Sequence, residues 1–191
     1  CPHKDKCKHY WDINQDQHLV KLYAENEKYD GYLRDGCVWD EKIDIYDKMS
    51  ASIKYENGVQ VSYSCTTYSP YEGYRIAFNG TKGRLEAWIK ERQPWAEPED
   101  DELRVTDNFG QTELIHVHGG PGGHGGGDNR MRDKIFKDPT AADPYQQAAG
   151  VRDGVLAVLI GVAARQSADS GKPVRIDALT DIPLQAVRPK T

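Results

Sequence analysis

Two runs of alternating residues joined by Asn57-Gly58 constrain this chain more than any other feature. Met49, Ala51, Ile53 and Tyr55 alternate with Ser50, Ser52 and Lys54; beyond the turn, Val59, Val61, Tyr63 and Cys65 alternate with Gln60, Ser62 and Ser64. Period-two alternation sends successive side chains to opposite faces of a strand, and Asn-Gly supplies two residues that tolerate positive φ. A hairpin follows. A second Asn-Gly, Asn79-Gly80, lies between Tyr74-Arg-Ile-Ala-Phe78 and Gly83-Arg-Leu-Glu-Ala-Trp-Ile89, and Asp107-Asn-Phe-Gly110 lies between Leu103-Arg-Val-Thr106 and Thr112-Glu-Leu-Ile-His-Val117. Three successive hairpins predict a mainly antiparallel sheet of about six or more strands, one face covered and the other more polar.

The remainder reads as helix and loop. Leu19, Val20, Leu22 and Tyr23 suggest a short helix within residues 12–28, closed by the Asp30-Gly31 turn. Residues 90–102 are charged and carry Pro94 and Pro98, which reads as an exposed loop. Asp143-Pro144 has the form of an N-cap with proline at the first helical position. Ala148, Val151, Val155, Val158 and Val162 then recur at helical spacing as far as Gly171. Pro173-Val-Arg-Ile176 adds a candidate edge strand. The fold class is α+β, with helices packed on one face of the sheet.

The 191 residues suffice for one domain, and a formal charge of −5 argues against a nucleic-acid surface. No window approaches the continuous apolar length of a membrane span. Cys1-Pro-His3-x3-Cys7-x-His9 groups two thiols and two imidazoles. It is compatible with a zinc site, a Cys1–Cys7 disulfide or free thiols, and its spacing matches no standard finger. The chain opens on Cys-Pro-His without an initiator methionine, so it is expected to be part of something longer, the rest lying upstream. The compartment, cytoplasm or periplasm, stays open.

The chemistry concentrates in Gly119-Gly-Pro-Gly-Gly-His124-Gly-Gly-Gly-Asp128, between a strand pattern and a helix pattern. A backbone so bare of side chains approaches a ligand closely, and ordering it costs conformational entropy, which favours a site. His124 is the candidate catalytic residue, able to bond a ligand hydroxyl or move its proton near neutral pH. Asp128 is a candidate for binding a substrate hydroxyl and equally for capping the helix. Gly120-Pro-Gly-Gly-His-Gly125 satisfies G-x-G-x-x-G, but that fingerprint requires a βαβ unit and a helix N-terminus open to pyrophosphate. A carboxylate at the helix start opposes a phosphate. Tyr71 and Tyr74 can stack on a flat ligand face or pack across strands. Arg34 can clamp an anionic group or pair with Asp35 or Asp40. His116, His118 and His124 could form a three-histidine set, but glycines between them leave its geometry unspecified, and no metal is assigned.

Tyr71-Glu-Gly-Tyr-Arg-Ile-Ala-Phe-Asn-Gly-Thr-Lys-Gly-Arg-Leu-Glu86, the Gly123-His-Gly-Gly-Gly-Asp128 loop and the closing Ser170-Gly-Lys-Pro-Val174 resemble the C-terminal domain of the Gfo/Idh/MocA oxidoreductases. The resemblance runs from about residue 30 to near the end of the chain. It implies a fold like the C-terminal domain of dihydrodipicolinate reductase, serving substrate binding and oligomerisation. It also implies an NAD or NADP cofactor held mainly by a separate N-terminal Rossmann domain, which carries a lysine in an E-K-P motif. This chain has neither, so residues 1–191 are expected to form the single C-terminal domain, without cofactor and inactive alone. The implied substrate is a sugar, inositol or related polyol, and the implied partner is a second copy across the open sheet face. The glycine–histidine loop also resembles a pocket-lining element of the NAD-dependent glycosidase branch. A non-catalytic carbohydrate-binding or dimerisation module is the remaining alternative.

Overall fold

The computed structural model describes residues 1–96, 100–145 and 147–183. The chain divides into two compact units, one of residues 1–52 and 59–67, the other of residues 53–58 and everything from 68 onward.

In the first unit the expected helix over 12–28 forms as short pieces. The Asp16 carboxylate accepts from the His18 and Leu19 N–H groups and starts α1 (Gln17–Leu22). The Asn26 side-chain amide then donates to the Lys21 and Leu22 carbonyls. This local bond competes with helix continuation, so a 3₁₀ turn over Ala24–Asn26 separates α1 from α2 (Glu27–Asp30). Gly31, at φ 73°, ends α2 where the Asp30-Gly31 turn is expected. Ile13 is the buried apolar side chain beneath this start.

β1 (Lys48–Lys54) and β2 (Gln60–Thr66) form a two-stranded sheet. Gly58 turns between them at φ 87°, and its N–H donates to the Tyr55 carbonyl. The other four strands, β3 (Glu72–Gly80), β4 (Gly83–Arg92), β5 (Asp100–Asp107) and β6 (Thr112–His118), form a second sheet in sequential order. Its neighbours are antiparallel throughout. The α+β class and the six strands stand. The single continuous sheet is corrected to two. After β2 the chain hydrogen-bonds backward: the Thr67 N–H and hydroxyl both donate to the Asp47 carbonyl, just before β1.

The four-stranded sheet has two chemically distinct faces. Tyr74, Ile76 and Phe78 lie opposite Ile89, Ala87 and Leu85; Ala87 and Leu85 lie opposite Leu103 and Val105; Leu103 lies opposite Ile115. This is the apolar face, and Ala87 at its centre is buried. The other face carries Arg75 opposite Trp88, Asn79 opposite Arg84, Glu86 opposite Arg104 and Glu102 opposite His116. Alternation thus makes one face mainly apolar and the other mainly charged, with Glu113 and Asp101 on the first and Leu114 on the second.

The second hairpin turns two residues later than Asn79-Gly80. Gly80 pairs with Gly83, so Thr81-Lys82 form the tip. Asn79 stays in the ladder, its side-chain oxygen accepting from the Arg84 guanidinium at 2.6 Å. The Asn108 amide donates to the Thr81 carbonyl at 2.8 Å and ties the two hairpin tips together.

The long helix, α4 (Val151–Ser170), begins later than Asp143-Pro144. The Asp143 carboxylate accepts from the Gln147 and Ala148 N–H groups and closes its own turn. Gly150 holds the N-cap position, with its N–H bonded to Asp153 at 2.9 Å. Gly171, at φ 67°, ends the helix as expected. The edge strand expected over 173–176 does not form: Arg175 pairs with Asp177, and a 3₁₀ turn occupies Ile176–Ala178. Among the described residues no helix is long and apolar enough to cross a membrane.

Candidate functional site

The glycine loop joins β6 to α3 (Gly127–Arg132), so it is a strand-to-helix turn as its flanks imply. His124 (φ 52°, ψ 46°), Gly125 (φ 61°) and Gly126 (φ 87°) are three consecutive residues in the left-handed region. Among the described non-glycine residues His124 is the one with positive φ. That conformation costs an ordinary side chain roughly 1–2 kcal/mol, so the surrounding loop must impose it.

The imposing contacts are visible. The Gly120 N–H donates to the Gly125 carbonyl at 2.9 Å and closes the loop on itself. At Gly126 an added Cβ would sit 3.0 Å from the Gly120 Cα, so the two backbone passes require glycine. The Asn129 amide donates to the Pro121 carbonyl at 2.9 Å, and Arg132 donates to Asn129 Oδ1 at 2.7 Å. α3 therefore grips the loop from below. The His124 side chain is 84% exposed, with Nδ1 2.9 Å from Asp128 Oδ1. Asp128 is not the helix N-cap: Gly126 holds that position and Asp128 stands in the first turn of α3. The left-handed run reverses the chain so that the carboxylate meets the imidazole.

These residues do not fit a dinucleotide. β6 pairs antiparallel with β5, α3 is only 6 residues long, and Asp128 brings negative charge to its start.

Of the other candidate residues, Tyr71 packs edge-on against Trp95, ring centroids 5.2 Å apart. Tyr74 lies on the apolar sheet face opposite Ile89. Arg34 belongs to the first unit, with its guanidinium 5.2 Å from the Tyr23 ring centroid and donating to the Tyr32 hydroxyl at 3.4 Å. The Tyr32 hydroxyl bond holds its pKa above the ordinary arginine value. The structure thus brings His124 and Asp128 together and gives Tyr71, Tyr74 and Arg34 other immediate neighbours. His118 Nδ1 bonds the Asp100 carboxylate, and His116 lies opposite Glu102. Among the described residues no group of three or more His, Cys, Asp or Glu is placed to hold a metal ion. The four cysteines are free thiols.

Two features escaped the sequence reading. Asn129 and Arg132 brace the loop, and only the three- and four-residue spacings after Asp128 hint at it. On the polar sheet face, Arg75 and Lys90 lie 4.2 and 4.6 Å from the centroid of Trp88, in a concavity of about 590 Å³ that also takes in Arg84, Glu86 and Arg104. The Arg84 guanidinium, 2.9 Å from Glu86, holds that carboxyl below its usual range. Cross-strand register, invisible in the sequence, assembles this face.

The family described as "Oxidoreductase family, C-terminal alpha/beta domain" matches residues 7–176. The chain is also similar to "Putative oxidoreductase YteT" of Bacillus subtilis (strain 168), with 35% identity over 191 residues. That match covers 94% of this chain and 44% of the relative, so the chain spans less than half of that protein's length. No solved structure matches. Hairpin order, glycine loop and family match agree, and the chain belongs to the C-terminal alpha/beta domain family of the oxidoreductases.

Proposed function

We propose that this chain is the substrate-side domain of an NAD(P)-dependent dehydrogenase acting on a sugar, inositol or related polyol. The observation that carries the reading is His124: an imidazole held left-handed on a braced glycine loop, exposed to a ligand and, among the described residues, bonded through Nδ1 alone. Glycines around it let a polyhydroxylated ring approach the backbone. Tyr71 with Trp95 offers an aromatic surface suited to a sugar face. NAD or NADP is held by a separate domain, because the residues here suit a polyol and not a dinucleotide. Hydride exchange with the substrate carbon is the chemistry that cofactor supplies. The chain alone is inactive on this reading. The test incubates the full-length protein with NAD or NADP and D-glucose, D-galactose or myo-inositol, and follows nicotinamide reduction. Turnover with at least one polyol is expected. Dinucleotide binding without reduction by any of them would overturn the substrate class.

We further propose a homodimer or higher homo-oligomer through the polar sheet face. Nucleic acid and membrane are not partners on this reading. Arginines, Lys90 and carboxylates alternate around Trp88, so the face offers both charges to a two-fold copy of itself. Sedimentation equilibrium should show a dimer in the micromolar range. Trp88→Ala should weaken it by about 2 kcal/mol, roughly thirtyfold, as for a buried aromatic anchor. A monomeric wild-type protein would refute the interface.

A further inference from the structure

The pair His124–Asp128 has an internal logic that reaches beyond His124 itself. An ionised carboxylate only accepts hydrogen bonds, so the 2.9 Å contact between Asp128 Oδ1 and His124 Nδ1 requires the hydrogen on Nδ1. In the neutral ring Nε2 then keeps its lone pair, on a side chain that is 84% exposed. The space for this arrangement is built in. An added Cβ on Gly123 would stand 2.5 Å from Asp128 Oδ2 and 3.4 Å from its Cγ. Gly123 is among the glycines without positive φ, so the room it leaves for the carboxylate, and not backbone freedom, is what its lack of a side chain provides.

We propose that Asp128 is the positioning residue of His124: it fixes the Nδ1–H tautomer and turns Nε2 outward as the acceptor for a ligand hydroxyl, with Gly123 keeping the carboxylate's place open. Asp128 thereby acts through His124 and not as a direct ligand of the substrate. The ligand class follows, since a lone pair on Nε2 takes a hydroxyl donor and offers nothing to a phosphate or carboxylate oxygen. This rests on the reading of His124 as the substrate-facing group.

The test has one arm that needs no substrate. Full-length protein is labelled with ¹⁵N-histidine and its imidazole nitrogens are observed at alkaline pH, with His124→Ala used to assign the resonance. Wild type should show His124 protonated on Nδ1. Asp128→Asn, whose amide can donate to Nδ1, should move the hydrogen to Nε2. Gly123→Ala should displace the carboxylate and mix the tautomers without altering the loop's fold, which keeps the test decisive if Asp128→Asn does not fold. In the second arm, with whichever of D-glucose, D-galactose or myo-inositol supports turnover, Asp128→Asn should lower kcat by about 10²-fold and change KM little. An unchanged Nδ1–H tautomer in both variants overturns the proposal. Loss of activity in His124→Ala with wild-type kcat in Asp128→Asn overturns it too, and leaves the substrate-facing role of His124 standing. Wild-type kinetics in His124→Ala overturns that role itself, and the positioning role with it.

Discussion

His124→Ala in the full-length protein is expected to lower turnover by about 10²-fold or more, the usual contribution of a side chain that moves a proton in the rate-limiting step. If the imidazole only orients a hydroxyl, the loss appears in substrate binding, at about 1–2 kcal/mol for one neutral hydrogen bond left unmade. Steady-state kinetics separates the two through kcat and KM. Stability should change little, because the side chain is exposed and alanine and histidine both carry a Cβ into the left-handed backbone. A large drop in melting temperature with near-normal kinetics would instead make His124 structural and remove it from the site. His124→Gly is the complementary variant. It relieves the left-handed strain, so it should lose the same activity while keeping or raising stability by about 1 kcal/mol.

Gly83→Ala is expected to be strongly destabilising. Gly83 opens β4 at φ 152°, and an added Cβ would stand 2.3 Å from the Thr106 carbonyl oxygen and 2.9 Å from the Asp107 Cα. Both are backbone atoms of the neighbouring strand, so no flexible side-chain end can swing aside. Relief requires β4 and β5 to part where Gly83 pairs with Asp107. The combined conformational and steric cost is about 3 kcal/mol or more, a fall of roughly 10 °C in melting temperature for a chain of this size. Gly110→Ala is the control: φ is also positive, at 87°, but nothing lies within 4 Å of its added Cβ. It should cost only about 1 kcal/mol, the left-handed penalty alone. Equal melting temperatures for the two variants would mean that the β4–β5 contact at Gly83 is not tight.

Local patterns in the sequence were enough to determine the six strands, the α+β class, the ends at Gly31 and Gly171, and the glycine loop as a strand-to-helix turn. Alternation and turn chemistry act between near neighbours, so they can be read before any tertiary contact exists. Helix starts were less legible. Asp143 has capping chemistry, but it caps its own turn, and Gly150 with Asp153 starts α4 instead. Both sites satisfy N–H groups, so capping chemistry by itself does not say which of them starts the helix. The three hairpin pairings were legible, but the break between β2 and β3 was not: the backward bonds of Thr67 to Asp47 end one sheet before β3 begins the next. The polar face around Trp88 exists only once register sets Arg75 opposite it.

At the candidate site the division is sharper. The sequence by itself marked His124 and Asp128 as residues of interest, because a histidine and a carboxylate within a costly glycine loop call for a reason. Only the tertiary structure decided that they touch. Their four-residue spacing resembles a helical pair, yet the backbone between them is left-handed through Gly126 and turns right-handed only at Gly127. The loop contacts Gly120–Gly125 and Asn129–Pro121 hold that reversal in place. Those bonds join residues whose meeting depends on the path of the whole loop, and no periodicity in the chain encodes such a path.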